Sequence, residues 1–138
     1  MYLFFVTETT GLPISWKAPI TDLNNWPRLV QLAWTIYNRN QVKLEQENLI
    51  IKPEGFTIPP NASKIHGISH KHALKVGVPL EDALKTFSSK IKNSNLVVAH
   101  NMRFDESIVA AEFLRAGIEN QLPLKTKICT MRRSTNFC

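Results

Sequence analysis

Nowhere in its 138 residues does the chain hold the roughly 18 to 20 consecutive apolar positions that a membrane-crossing helix needs, so no segment reads as a transmembrane helix. The apolar opening, Met1 to Val6, is too short for a signal peptide and lacks a basic lead-in, and a cytoplasmic location is the expectation. Cysteine occurs only at Cys129 and Cys138, too few for a disulfide framework and wrongly spaced for a zinc site. Both read as reduced thiols. Aspartate is absent after Asp105 and histidine after His100. There is no internal repeat and no low-complexity tract.

The composition is that of one globular domain spanning residues 1–138, with 43% hydrophobic and 20% charged residues. Its net charge of +6 is unevenly placed. Residues 1–60 balance five Lys/Arg against five Asp/Glu, whereas residues 61–138 hold twelve against six. A basic second half suits a polyanionic partner, and a solvated lysine-rich surface accounts for the charge equally well.

The apolar run Tyr2 to Val6 predicts a central strand covered on both faces. Residues 13–27, with three prolines and two tryptophans, predict an irregular loop. From Arg28 to Tyr37, Val30, Leu32, Trp34 and Ile36 alternate with smaller or polar residues, and Val42 to Ile51 returns as the second strand of a hairpin. A short helix is expected around Ala62 to Ile65, ending near Gly67. A longer one opens at Pro79, with Leu80, Ala83, Leu84, Phe87 and Ile91 at helical spacing. Leu96 to Ala99 reads as a buried strand, Phe104 to Ala116 as an enclosed helix capped by Gly117, and Lys125 to Thr130 as a fifth strand. The order β-β-β-α-β-α-β predicts an α/β fold.

Two acids stand out. Glu8 follows a buried strand in Phe4-Phe5-Val6-Thr7-Glu8-Thr9-Thr10-Gly11-Leu12-Pro13, and Asp105 follows another in His100-Asn101-Met102-Arg103-Phe104-Asp105. A carboxylate in that setting faces the loops rather than the core. Asn101 is a natural helix N-cap. His66, His70 and His72 lack a carboxylate partner and a metal-ligand spacing.

These segments resemble the first two motifs of the DnaQ-like (DEDDh) 3′–5′ exonucleases, and among them resemble the proofreading (epsilon) subunits of bacterial DNA polymerase III. The first motif, Asp-x-Glu-Thr-Thr-Gly-Leu-Pro, matches everywhere except its leading Asp, where Val6 stands. Ile65-His66-Gly67-Ile68 resembles the family's His-Gly-Ile element. The resemblance implies a ribonuclease H-like mixed five-stranded sheet flanked by helices. It implies phosphodiester hydrolysis at single-stranded DNA 3′ ends by two Mg²⁺ or Mn²⁺ ions, possible association with a replicative polymerase subunit, and no membrane. Glu8 and Asp105 would bind metal, and Thr9, Thr10, Gly11, Leu12, His66, Asn101 and Phe104 would hold the terminal nucleotides. Phe104 serves core packing and substrate stacking equally well as a reading.

Valine cannot ligate a metal, and the family's third motif, a histidine followed five residues later by an aspartate in a final helix, is not found. The resemblance therefore implies a C-terminally incomplete exonuclease domain, inactive or nearly so as it stands. Two other readings stay open: a non-catalytic nucleic-acid or polymerase-binding module on the same fold, and an RNA-trimming exonuclease of the same family.

Overall fold

The computed structural model describes residues 1–131. In chain order it contains β1 (Tyr2–Thr9), β2 (Leu29–Tyr37), β3 (Lys43–Ile50), α1 (Pro60–His66), α2 (His70–Val76), α3 (Leu80–Lys92), β4 (Leu96–Ala99), α4 (Met102–Ala116), a 3₁₀ turn at Leu122–Leu124 and β5 (Thr126–Cys129). The strands form one mixed sheet in the order β3-β2-β1-β4-β5. β1 runs antiparallel to β2 and parallel to β4, and β4 runs parallel to β5. This is the expected ribonuclease H-like arrangement. The parallel pairing has a direct consequence: the C-terminal ends of β1 and β4 leave the sheet at the same edge. Glu8 and the segment leading to Asp105 are thereby brought together.

The core lies between one face of the sheet and two helices. Leu3, Phe5, Trp34 and Ile36 meet Leu84, Phe87 and Ile91 from α3 and Ile108, Val109 and Phe113 from α4. The Phe5 and Phe87 rings sit 5.2 Å apart, within the range of favourable aromatic pairs. A smaller cluster of Val30, Ile58, Ala62, Ile68 and Ala73 fastens α1 and α2 at the start of β2.

Three expectations are corrected here. β1 is the middle strand, yet it is not covered on both faces. Phe4 is 41% and Val6 50% exposed while Leu3 and Phe5 are buried, so the strand alternates. A continuous apolar run does not say which face the helices choose, and α3 and α4 both choose the same one. Second, α2 was not anticipated. It buries only Ala73 and shows no apolar stripe, although its N-cap was present in the sequence: the Ser69 side chain accepts from the His72 amide at 3.0 Å. Third, Cys129 is disulfide-bonded rather than a free thiol. A count too low for a framework does not exclude a single crosslink; Cys138, the chain's other cysteine, lies outside the described residues. No helix among the described residues is long and apolar enough to cross a membrane.

One fully buried charge ties the layers together. Glu112 of α4 has 0% exposure and accepts from Arg28 Nε at 3.2 Å, from the Leu29 amide at 2.9 Å and from Arg115 NH1 at 2.8 Å. Arg115 NH2 in turn donates to the Leu23 and Trp26 carbonyls at 2.7 and 2.9 Å, pinning the end of the 13–27 loop. Glycine at 77 is demanded by close approach: a Cβ there would collide with the Ala73 carbonyl and the Lys52 backbone. At that crossing Lys52 N donates to Val78 O and Val78 N to Ile50 O, both at 2.8 Å.

Glu112→Ala leaves two guanidinium groups without their anion, and urea unfolding should show a loss of about 3–5 kcal/mol. Gly77→Ala should cost roughly 1–3 kcal/mol by the same measurement, because only backbone atoms stand in the way and none can swing aside.

Candidate active site

β1 ends in an irregularity. Glu8 pairs with Gln31 but Thr9 with Leu29, so Val30 has no opposite number. Such bulges re-aim the neighbouring side chains, and here the strand leaves the sheet directly into the Thr9–Leu12 turn. The turn is held by its own hydroxyls. Thr9 Oγ1 donates to the Gly11 carbonyl at 2.7 Å, and Thr10 Oγ1 accepts from the Arg28 amide at 3.0 Å while Thr10 N donates to Arg28 O at 3.0 Å. Gly11 has neither a positive φ nor a crowding neighbour; the space a Cβ would fill is open.

This turn forms one wall of a cleft of about 440 Å³. Glu8, Thr9, Thr10, Gly11 and Leu12 line it on one side, Asn61, Ile65 and His66 of α1 on another, and Phe104 of α4 on a third. Seven of the residues singled out from the sequence thus share one cavity. The His66 ring is oriented by its backbone: Nδ1 accepts from the Ile68 amide at 3.1 Å. The ring proton of the neutral form therefore sits on Nε2, a buried atom with no hydrogen-bond partner among the described residues. Leu12 and Ile65 project into solvent from the rim.

Asp105 sits beside the cleft in the first turn of α4. Its Oδ1 accepts from Thr7 Oγ1 at 2.7 Å and from Thr7 N at 3.2 Å. Burial pushes its carboxyl above the ordinary aspartate value of 3.8, outweighing the Thr7 and Asn101 hydrogen bonds that favour the ion. The nearby negative charge of Glu8 adds a smaller push in the same direction. Two acids from opposite ends of the sequence are therefore close enough to repel.

Asn101 occupies the N-cap of α4, but its side chain makes no capping bond; its carbonyl accepts from the Phe104 and Asp105 amides, both at 3.0 Å. It does not line the cleft. Val6 lies outside it as well, on the open face of β1 two residues before Glu8 and so on the same side of the strand. His100 is bonded to Thr130 at 2.9 Å. Among the described residues no three acids, histidines or cysteines are grouped as a metal site needs.

Sequence reasoning missed Asn61 and Ile65 on the cleft wall and the Trp16–Arg103 pair next to it. Phe104, read as either core or substrate contact, packs its ring 5.7 Å from Trp16 while also lining the cleft. Nothing in the loop's composition marks Trp16 as different from Trp26, which is buried.

Because the folded-state pKa of Asp105 is raised, protonation favours the native state. The stability this confers is present at acid pH and declines as pH rises from about the ordinary value through the raised one. Asp105→Asn keeps an acceptor for Thr7 and removes the buried charge. Denaturant titrations should find the variant more stable than wild type at pH 7, with the gap closing as pH approaches 4. A less stable variant at neutral pH would contradict this account.

Comparisons with known proteins bear on the family and the fold. A model of the RNase_T family, described as exonuclease, matches residues 4–136. The chain is 29% identical over 118 residues to the PolC-type DNA polymerase III of Mycoplasmopsis pulmonis and 28% identical over 117 residues to that of Streptococcus suis. These alignments cover 86% and 85% of the chain but 7% of each polymerase. Among solved structures, E. coli exonuclease I in complex with a dT13 oligonucleotide superposes with a TM-score of 0.78 at 20% identity, over 96% of this chain and 29% of that one. A zinc-bound form of the exonuclease I–single-stranded DNA complex gives 0.78 at 19% identity, over 96% and 28%. The chain thus spans under a third of the exonuclease I chain and a much smaller part of the polymerases. With a family match across nearly all its length, the chain belongs to the RNase_T exonuclease family and is a DnaQ-like exonuclease domain.

Proposed function

We propose that this domain handles the 3′ end of a single-stranded nucleic acid, DNA in the first instance, at the Glu8–His66–Phe104 cleft, and that with valine at position 6 it hydrolyses that end slowly or not at all. One observation supports this reading above others. The cleft joins an acid, a hydroxyl-rich turn, an unpartnered ring N–H and an aromatic side chain, with Asp105 alongside. Those are the groups a terminal nucleotide needs: donors for its phosphate and sugar, an apolar surface for its base, and carboxylates for a metal.

Exonucleases of this family generally use divalent metal ions. The donor chemistry suits a hard cation. Glu8 and Asp105 offer carboxylate oxygens, the type Mg²⁺ and Mn²⁺ prefer, and their mutual repulsion is what a bound cation would relieve. A two-ion arrangement lacks its shared ligand, because Val6 presents methyl groups where a third carboxylate would stand. When bound, the ion would act as Lewis acid toward the scissile phosphate and its attacking water. The chain's own contributions are simpler: His66 Nε2–H donates to the nucleotide, the Thr9–Leu12 turn seats it, and Leu12 and Phe104 enclose its base.

The test uses a 3′-labelled oligonucleotide with Mg²⁺ or Mn²⁺. The chain as it stands should bind it and release little or no mononucleotide. Val6→Asp should raise metal-dependent release by on the order of 10²-fold, since a ligand placed at the reacting charge is worth about that much. Val6 is half exposed, so the change should leave folding intact. Wild-type release as fast as the variant's would refute the inactivity, and release from the 5′ end would refute the polarity. Binding without cleavage by either protein, and by Val6→Asp in a version extended past Cys138, would favour the non-catalytic module. Competition between DNA and RNA strands decides the sugar, which is read through contacts to the 2′-OH.

A further inference from the structure

The loop that follows the site turn is locked from behind and apolar in front. Buried Asn25 grips it twice: its Oδ1 accepts from Ser15 N at 2.6 Å and its Nδ2 donates to Ser15 O at 2.9 Å. Ile14 N also donates to Asn25 O at 3.1 Å. A loop so held could have turned its large side chains inward, yet Leu12, Ile14 and Trp16 all face solvent, Trp16 at 39%. Trp16 is not loose. Phe104 lies 5.7 Å from its ring on one side, and the Arg103 guanidinium sits 5.6 Å from the ring centroid while NH2 donates to the Trp16 carbonyl at 3.0 Å. The result is an ordered, solvent-facing indole with a cation beside it, one ring removed from the cleft.

We propose that Trp16 is the stacking platform for a base upstream of the 3′-terminal nucleotide, with Arg103 meeting the phosphate that links them. The inference rests on the cleft being the nucleotide site. Phe104 faces both the cleft and Trp16, so a strand with its last nucleotide in the cleft passes Trp16 next. Aromatic platforms of this kind take any base, because every base offers a π-face, and they require it to be unstacked. Trp16 thus selects an unpaired strand and adds affinity for length rather than for sequence. The local charge matches: Arg103 sits beside the indole, Lys17 follows Trp16 in the chain, and the domain carries +6 overall.

The chain supplies its own reporter, since Trp26 and Trp34 are buried and only Trp16 is open to quenching. Tryptophan emission and binding should be measured with dTMP, dT2, dT4 and dT8 in the absence of divalent metal, to prevent cleavage. Quenching should begin at dT2 and be absent with dTMP. Trp16→Ala should weaken dT4 binding roughly 5- to 100-fold, leave dTMP binding and the unfolding midpoint nearly unchanged, and be largely rescued by Trp16→Phe. An abasic second nucleotide should cost wild type the same factor and cost Trp16→Ala nothing further. If dT4 binding falls with His66→Ala but not with Trp16→Ala, the platform is wrong and the cleft stands. If dTMP and dT4 weaken equally in Trp16→Ala, the residue only shapes the cleft and the platform is overturned. If no oligonucleotide binds, both readings fail.

Discussion

The fold of this domain turns on the contact between Arg28 and Glu112. Glu112 is completely enclosed in α4, and an isolated carboxylate in that position would be too costly to keep ionised. Two guanidinium groups and a backbone amide satisfy it. Through that cluster α4 is fixed to the start of β2, and through Arg28 to more distant parts. The Arg28 backbone exchanges two hydrogen bonds with Thr10 in the site turn, and its guanidinium lies 4.5 Å from the ring centroid of Phe56 ahead of α1. All three walls of the cleft therefore refer to one residue. Buried ion clusters often add little net stability over an apolar replacement, but they are unforgiving of misalignment. Here that intolerance sets the relative positions of the turn, α1 and α4.

The site itself runs against stability. Asp105 is buried close to Glu8, and the cost of its charge shows in the upward shift of its titration. The Thr7 hydroxyl and amide hold the carboxylate in place without neutralising it. A cation near the two acids would remove that cost, so binding and folding are linked in this corner of the molecule. His66 carries a second local penalty, a buried N–H that no group among the described residues receives. Asp105 adjoins and His66 lines the cleft, and local rules of protein stability commonly fail at functional sites.

Much of the architecture was legible in the residues. The alternation of Val30, Leu32, Trp34 and Ile36 announces β2, and the spacing of Leu80, Leu84, Phe87 and Ile91 announces α3, because in each case one face is buried and the other is not. The candidate site was marked by motif: Glu8, the Thr9–Leu12 turn, His66 and Phe104 share one cleft, whereas Asp105, Asn101 and Val6 do not line it. What could not be read has a common physical origin. Glu112 on an apolar helix looks like a solvated acid until its partner, 84 residues away in sequence, is known. Trp16 and Trp26 share one loop, and only tertiary packing decides which is buried. The seven-residue α2 exposes most of its length and so leaves no periodic trace. The one-sided burial of β1 depends on where helices dock, a property of the whole sheet.

That one-sidedness divides the labour of β1 by parity. Leu3, Phe5 and Thr7 turn inward, where a change disturbs packing or the Asp105 clamp; Phe4, Val6 and Glu8 turn the other way, where the core does not feel them. Side chains open to a ligand and side chains that hold the core thus occupy alternate letters of the same eight-residue word. A substitution at position 6 therefore leaves the scaffold undamaged. Selection for well-folded protein would be blind to such a change, and equally blind to its reversal.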